Sequence, residues 1–345
     1  MTRERRAETF LLLLCTAALG VLLWRSRDAA PPDPVRLTAL GAVPQDIVLL
    51  ITVDADALRR SEWGASLLAS GQSLQGLGAI DELCQDSPLT HLKELALFVP
   101  KVLPEQPLDV GVVAQGGFDS AQTLTCIERV VSARGGAPIR SALGSFDSVR
   151  DRGSTQGEIA TRNGGPLILG EGRTLRAAVD TAEGRNPNVR SNEAHSGLRH
   201  EVGEHAVVVS LLLPPGWLTR MTRLDAAGVS PLSRVRAAAI GIDLAPVRVE
   251  AVLGLEADAL AQEVARILKG FSRDSAGLMQ LELGVNPLAN AKIHAQGRTV
   301  RLSLSLDEAQ LKTLSRTLLG QLPPPALRRN EVIVDDLNLS DAAAD

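Results

Sequence analysis

Asp46-Ile-Val-Leu-Leu-Ile-Thr-Val53 is the stretch that decides the fold. It is an almost unbroken apolar run of strand length, and such a run predicts a strand with both faces buried. Ala206-Val-Val-Val-Ser-Leu-Leu-Leu213 is a second run of the same kind in the other half of the chain. A helical pattern follows each run, so we expect two units that each open with a buried strand.

The pattern after the opening strands also repeats. Asn163-Gly164 in the first half and Gly297-Arg298 in the second each predict a hairpin turn. Strands joined by tight turns are antiparallel, and helices must cover such a sheet. The chain therefore predicts an α+β fold of tandem, duplicated, mostly antiparallel sheet units with helices packed on one face. Two sets of apolar residues have the same spacing in the two halves. They are Val110, Val112, Ile127, Val130 and Val131 in the first half, and Val247, Val249, Val264, Ile267 and Leu268 in the second.

Turn residues and prolines predict the domain boundaries. Prolines between residues 31 and 44 favour an extended tether, and the polar, glycine- and asparagine-rich stretch 185–204 favours a linker. The predicted organisation is a basic head (1–8), a transmembrane anchor (9–24), a proline-rich tether (25–44), a first α+β repeat (45–184), a linker (185–204), a second α+β repeat (205–322) and an acidic tail (323–345).

Residues 9–24 form an uncharged segment near the N-terminus. As a helix, these sixteen residues would be about 24 Å long, slightly less than a hydrocarbon core of about 30 Å. Arg6 and Arg25 can extend the reach by snorkelling, and Trp24 suits the membrane interface. Three arginines precede the segment and two follow it, which favours a cytoplasmic N-terminus. We expect a single-pass inner-membrane protein with most of the chain in the periplasm.

Three other interpretations of the N-terminal segment stay open. Small residues between Cys15 and Gly20 could precede a signal-peptidase cut, although that cut would leave an apolar new terminus. Cys15 follows Leu14 rather than the small residue that lipoprotein processing requires. Arg5-Arg6 resembles a twin-arginine signal, but its spacing to Phe10 is loose. In each interpretation the rest of the chain is exported.

Overall composition excludes several classes of partner. The net charge is −4, so no basic field attracts nucleic acid or anionic lipid. Tyrosine is absent, and the chain has only five Phe and three Trp. Base-stacking grooves and aromatic cages need such rings. We therefore expect no nucleic-acid partner, and a core built from Leu, Val, Ala and Ile.

Cys84 and Cys126 are the two cysteines outside the N-terminal segment. An even pair in an oxidising compartment is a candidate disulfide. The alternative is two separately buried thiols, because Cys126 falls on the apolar face of its predicted helix.

The segment His200-Glu-Val-Gly-Glu-His205 is the candidate metal site. A zinc hydrolase places two histidines one helical turn apart, with a glutamate beside the first. The two histidines of this segment are five residues apart, about 140° around a helix, and Gly203 lies between them. We expect these residues and His195 to be solvated linker residues. No catalytic residue and no cofactor are predicted.

Two weaker candidates remain in the sequence. Gly170-Glu-Gly172-Arg-Thr174 precedes a predicted helix but lacks the lysine and the parallel-strand context of a phosphate loop. It therefore predicts a hairpin-to-helix connection. Trp63 and Trp217 each follow an opening strand, and both rings are expected to lie in the core.

One order of motifs runs through the first half of the chain: Val53-Asp54, Leu58-Arg59, Cys84, Phe98-Val-Pro100, Gly116-Gly117 and Cys126. This order resembles uncharacterised envelope proteins of myxobacterial type. The resemblance implies an envelope location and brings no known activity.

The function expected from the sequence is a non-catalytic binding or assembly role in a membrane-anchored envelope protein, with a protein partner in the envelope. One alternative is a metal-dependent hydrolase that uses His200, His205 and Glu201. The other is a structural subunit of an envelope complex.

Overall fold

The computed structural model describes residues 38–61, 83–84, 91–101, 109–153, 157–213, 234–244, 246–274, 290–307, 310 and 313. Several predictions lie outside these ranges: the anchor (9–24), most of the tether, Trp63, Trp217 and the acidic tail. Within the described ranges, no helix has both the length and the apolar character that crossing a membrane requires.

The described residues form twelve strands in one sheet, and every pair of neighbouring strands is antiparallel. The predicted α+β class with a mostly antiparallel sheet is therefore confirmed. The strands are β1 (Ile47–Asp54), β2 (Leu92–Pro100), β3 (Gly111–Gly116), β4 (Pro138–Leu143), β5 (Phe146–Asp151), β6 (Glu158–Thr161), β7 (Leu167–Gly170), β8 (Val207–Leu212), β9 (Val235–Leu244), β10 (Val247–Leu255), β11 (Lys292–Gln296) and β12 (Thr299–Leu306).

Five α-helices lie in the described ranges, and side-chain caps begin several of them. The Asp54 carboxylate accepts from the backbone N–H of Ala57, and the Asp119 carboxylate accepts from that of Gln122. Each cap satisfies an N–H that has no partner within the helix. The helices are α1 (Ala55–Arg60), α2 (Ser120–Ala133), α3 (Gly172–Ala182), α4 (Glu193–Val202) and α5 (Asp258–Asp274), with short 3₁₀ helices at Ala39–Ala42 and Val189–Ser191.

The two opening strands, β1 and β8, are neighbours in the middle of the sheet. Leu50 pairs with Ser210 across this junction. The strand order is β11-β12-β10-β9-β8-β1-β2-β3-β7-β6-β5-β4. The two predicted repeats therefore share one sheet instead of forming separate units. Pairing the two most apolar strands with each other buries both of them without a free edge.

Helices cover both faces of the sheet, so the prediction of helices on one face is wrong. Successive side chains of a strand point to opposite faces. Leu50 packs in a core cluster with Leu175 of α3 and the two 3₁₀ helices. Val53, three residues further along β1, packs instead with Leu58 of α1. The central strands are apolar at almost every position, so each face needs its own cover.

Residues 185–204, predicted to be a linker, instead contain a 3₁₀ helix and α4. Three of the residues that suggested a linker lie at helix ends, and Gly197 lies inside α4. Asn188 and Asn192 are N-caps, and Gly203 ends α4 with φ of 92°, a value that glycine adopts readily. Between these caps, Leu198 and Val202 are buried against β9 and β10. The segment therefore packs on the sheet.

Candidate functional site

A cleft of about 410 Å³ lies where one end of the sheet meets the beginning of α3. This volume falls in the range of small-molecule sites. Residues from β4, β5 and β6 form one wall, and the first turns of α3 form the other. The lining residues are Ser141, Ala142, Leu143, Arg150, Gly157, Glu158, Glu171, Gly172, Leu175 and Arg176.

Local sequence explains how these walls form. β4 and β5 are joined by Gly144-Ser145, and Gly144 has φ of 61°, which suits a two-residue hairpin. β6 and β7 are joined by the predicted turn at Asn163-Gly164, where Gly164 has φ of 68°. On the opposite wall, the Thr174 hydroxyl donates to the Asp109 carboxylate, which ties the first turn of α3 to the residues before β3.

Three polar side chains form a hydrogen-bonded network on the strand wall. Ser148 donates to Glu158 Oε1 at 2.5 Å, and its Oγ lies 2.8 Å from Ser141 Oγ. Ser141 Oγ also lies 3.2 Å from the same carboxylate oxygen. Ser148 is fully buried, so its hydroxyl does not reach the cleft as a nucleophile would. The network instead fixes the orientation of Glu158.

Two guanidinium groups line the cleft from opposite walls. Arg150 comes from β5 and Arg176 from α3, and both are exposed. Arg150 is the cross-strand neighbour of Glu158, but the Glu158 carboxylate bonds to the serine hydroxyls. Among the described residues, neither guanidinium group has a hydrogen-bond or ion-pair partner. Both guanidinium groups are therefore available to an anionic group in the cleft.

The cleft also contains the beginning of α3. The backbone N–H groups of Thr174 and Leu175 donate to the backbone carbonyl of Glu171. The Glu171 side chain makes no capping hydrogen bond. Helix N-termini carry a partial positive charge. The lining as a whole combines two arginines, two glutamates and the apolar side chains of Leu143 and Leu175. Such a mixture suits binding of a small polar molecule.

The candidate metal residues are not brought together. His200 is exposed on α4. The Glu201 carboxylate lies 3.3 Å from Arg301, which also donates to the Glu201 carbonyl at 2.9 Å. The His205 side chain is 5% exposed, with Nδ1 3.1 Å from Asp243 and Nε2 3.0 Å from the Val202 carbonyl. The described residues contain no group of three His, Cys, Asp or Glu side chains placed to hold a metal ion.

His195, expected to be a solvated linker residue, is fully buried. Its Nδ1 lies 2.9 Å from Ser210 Oγ on β8, and its Nε2 lies 3.2 Å from the Ile47 carbonyl on β1. A carbonyl only accepts, so Nε2 carries the proton and Nδ1 accepts from the serine. Burial lowers the pKa of His195, and the nearby Arg199 acts in the same direction. The neutral imidazole therefore joins α4 to both central strands.

Cys84 and Cys126 form a disulfide, with Cα atoms 5.0 Å apart. Cys126 lies on the buried side of α2. The bond attaches α2 to a residue 42 positions earlier in the chain.

Apart from Glu171 and Gly172, the residues of the cleft were not candidates in the sequence. Ser148 and Glu158 lie on the short strands β5 and β6, and nothing local distinguishes them from other polar strand residues. β4 was not predicted, because its six residues include none that is buried. The one available signal was the glycine-containing connection at Gly170–Thr174, which does open a helix at the cleft.

Comparisons with known proteins give no family. No family model matches the chain, and no curated protein matches it. Among solved structures, the chain is similar to crystal form I of TP0453, with a TM-score of 0.47 and 10% identity over 82% of this chain and 98% of that one. Crystal form III gives a TM-score of 0.44 and 9% identity over 85% and 100% of the two chains. Similarity at this level carries no inference about function.

Proposed function

We propose that this chain is an envelope protein, held in the inner membrane by residues 9–24, whose folded part binds a ligand or partner outside the cytosol without catalysing a reaction. The disulfide between Cys84 and Cys126 is the observation that carries the exported location. Disulfides persist in oxidising compartments and are rare in the cytosol. The uncharged N-terminal segment supplies the attachment to the membrane.

The cleft at the beginning of α3 supports the binding role. It has the volume of a small-molecule site, and it offers Arg150, Arg176 and the oriented Glu158 to a ligand. The Ser148 hydroxyl that bonds to Glu158 is buried, so it orients the carboxylate and does not itself contact a ligand. A turnover by the purified chain that Glu158→Gln alone abolishes would overturn the non-catalytic part of the proposal.

The location is tested with reporters fused after Asp345 of the full chain. We expect alkaline phosphatase to be active and a green fluorescent protein fusion to be dark, because the first needs an oxidising compartment and the second folds in the cytosol. In a Cys15→Ser background, a maleimide should label Cys84 and Cys126 only after reduction. A fluorescent fusion with an inactive phosphatase, or labelling without reduction, would overturn the exported location.

We also infer that the two halves arose by duplication. From the centre outward, each half contains three successive antiparallel strands, followed by a hairpin that returns to the third strand. The hairpins are β7 with β6 in one half and β12 with β11 in the other. α2 and α5 occupy the same position in this order. The β4–β5 hairpin, which forms one wall of the cleft, is an addition to the first half.

The alternative of a structural subunit in an envelope complex draws on α5. Ile267 and Phe271 are 37% and 58% exposed, and they lie one turn apart on the helix. Exposed apolar side chains at this spacing suit contact with another protein. Recovery of the full chain from membranes with a fixed stoichiometric partner, lost in Ile267→Ser, would favour this alternative.

A further inference from the structure

We propose that the cleft binds a small organic carboxylate, with the anionic group between Arg150 and Arg176 and the apolar part of the ligand against Leu143. This inference rests on the proposed binding function and names the chemical class of the ligand.

The charge of the ligand follows from the two arginines. They come from different elements that line one cleft, and neither guanidinium group bonds to a described residue. A guanidinium presents a planar set of N–H donors that matches a carboxylate with two parallel hydrogen bonds. Two such groups in the lining of one cleft can both donate to one anion.

A carboxylate fits this lining better than a phosphate dianion. Glu158 and Glu171 also line the cleft, so a second negative charge on the ligand would be repelled. Hydrogen bonds from Ser148 and Ser141 hold Glu158 in place. The Glu158 carboxylate thus cannot rotate freely away from the ligand. Because the two carboxylates offset much of the charge of the two guanidinium groups, the lining favours a ligand with a single negative charge.

The remainder of the ligand meets apolar surface. Ala142 and Leu143 of β4 and Leu175 of α3 belong to the lining, and the cleft of about 410 Å³ is larger than a lone inorganic ion requires. Leu175 is already buried in the core, whereas Leu143 is only partly buried. Burial of apolar atoms against Leu143 stabilises an organic ligand over an ion alone. The structure therefore favours a carboxylate with a short hydrocarbon part.

The experiment uses the full chain in a nonionic detergent and four probes: pentanoate, pentanamide, pentylammonium and inorganic phosphate. Saturation-transfer NMR at the pentanoate methyl group reports binding. We expect pentanoate to bind at least about tenfold more tightly than pentanamide, because charge-assisted hydrogen bonds are stronger than neutral ones. We expect neither pentylammonium nor phosphate to displace it at equal concentration.

Arg150→Gln and Arg176→Gln should each weaken pentanoate binding by about tenfold. Arg173→Gln is the matched control, because Arg173 is exposed on the same helix and does not line the cleft. Equal effects of all three substitutions would mean that only overall charge matters, and would overturn the site. Displacement by phosphate at equal concentration would overturn the carboxylate. Absence of pentanoate binding overturns this inference but leaves the exported location standing, because the reporter fusions test that separately.

Discussion

His195 connects three elements through one imidazole ring, and its environment makes the fold sensitive to pH. The ring is fully buried between α4, β1 and β8. Burial lowers the pKa of His195 below its ordinary value of 6.5. In the unfolded chain the ring takes up a proton near pH 6.5, whereas in the folded protein it stays neutral to lower pH. The unfolded state then binds more protons, so stability falls as the pH falls below 6.5.

We expect His195→Gln to reduce this pH dependence. A glutamine can donate to the Ile47 carbonyl and accept from Ser210, but it does not titrate. The free energy of unfolding, measured in urea at a series of pH values between about 7.5 and 5, should decline less steeply in the variant than in the wild type. His200→Gln removes an exposed histidine from the same helix and is the control. Parallel pH profiles for wild type and His195→Gln would contradict the assignment.

Gly241 gives a second test at the level of single residues. A Cβ at this position would lie 2.1 Å from His205 Cδ2 and 2.5 Å from Val202 Cγ1. We expect Gly241→Ala to lower the free energy of unfolding by about 1–3 kcal/mol, because both side chains must move. Gly270→Ala is the matched control: it lies within α5 with no atom within 4 Å of the added Cβ, so it should stabilise by about 0.5–1 kcal/mol. Equal effects of the two alanines in urea unfolding would argue against close packing of His205.

The elements were predictable where their signal is local. The apolar runs that became β1 and β8 specify buried strands by themselves, and Asp119 marks the beginning of α2. Two failures have a physical cause. β4 lies at an edge and has no buried residue, so it lacks an apolar signature. Before α4, Asn188 and Asn192 suggested a linker but are helix N-caps. The helix itself buries only one narrow face, so its apolar pattern is weak.

The cleft was not predictable for a related reason. Arg150 and Arg176 are distant in the sequence, and they line one cavity only because α3 packs across the strands. No local sequence pattern predicts that these two arginines line the same cavity. His205, expected to be a solvated linker residue, instead packs against Gly241 and lies beside Asp243.

The disulfide gives a prediction for α2. Outside the first two turns, this helix is only partly covered, with Ile127, Val130 and Val131 half-buried. The cross-link closes a loop with a sequence separation of 42, for which the chain-entropy estimate is about 4 kcal/mol. In a Cys15→Ser background, we expect Cys84→Ser/Cys126→Ser to lose about that much unfolding free energy in urea. Reducing agent should lower the stability of the parent to that of the variant and leave the variant unchanged; no effect on the parent would contradict a stabilising disulfide.

At the scale of the whole molecule, the β1–β8 junction makes the two halves one structural unit. Thr52 donates to the Val208 carbonyl across this junction, and Arg199 of α4 donates to Thr52 at 3.0 Å. Burial lowers the pKa of Arg199, and Glu94 on β2 opposes that shift. Polar contacts thus tie α4 to the centre of the sheet, where the two halves meet. The β1–β8 pairing joins strands that are far apart in the sequence. The sequence of either half alone therefore does not determine whether the halves form one sheet or two.

Hydrogen exchange on the full chain can distinguish one cooperative unit from two tandem domains. Because β1, β2, β8 and β9 are paired on both sides, their amides should exchange only through the largest opening, whereas amides in the edge strands β4 and β11 should exchange through smaller local openings. As urea is raised, protection in β1 and β8 should be lost together, since each strand is the other's neighbour. If β8 lost protection at a urea concentration where β1 kept it, the halves would be opening separately. The β1–β8 pairing would then be a contact between two domains that fold on their own.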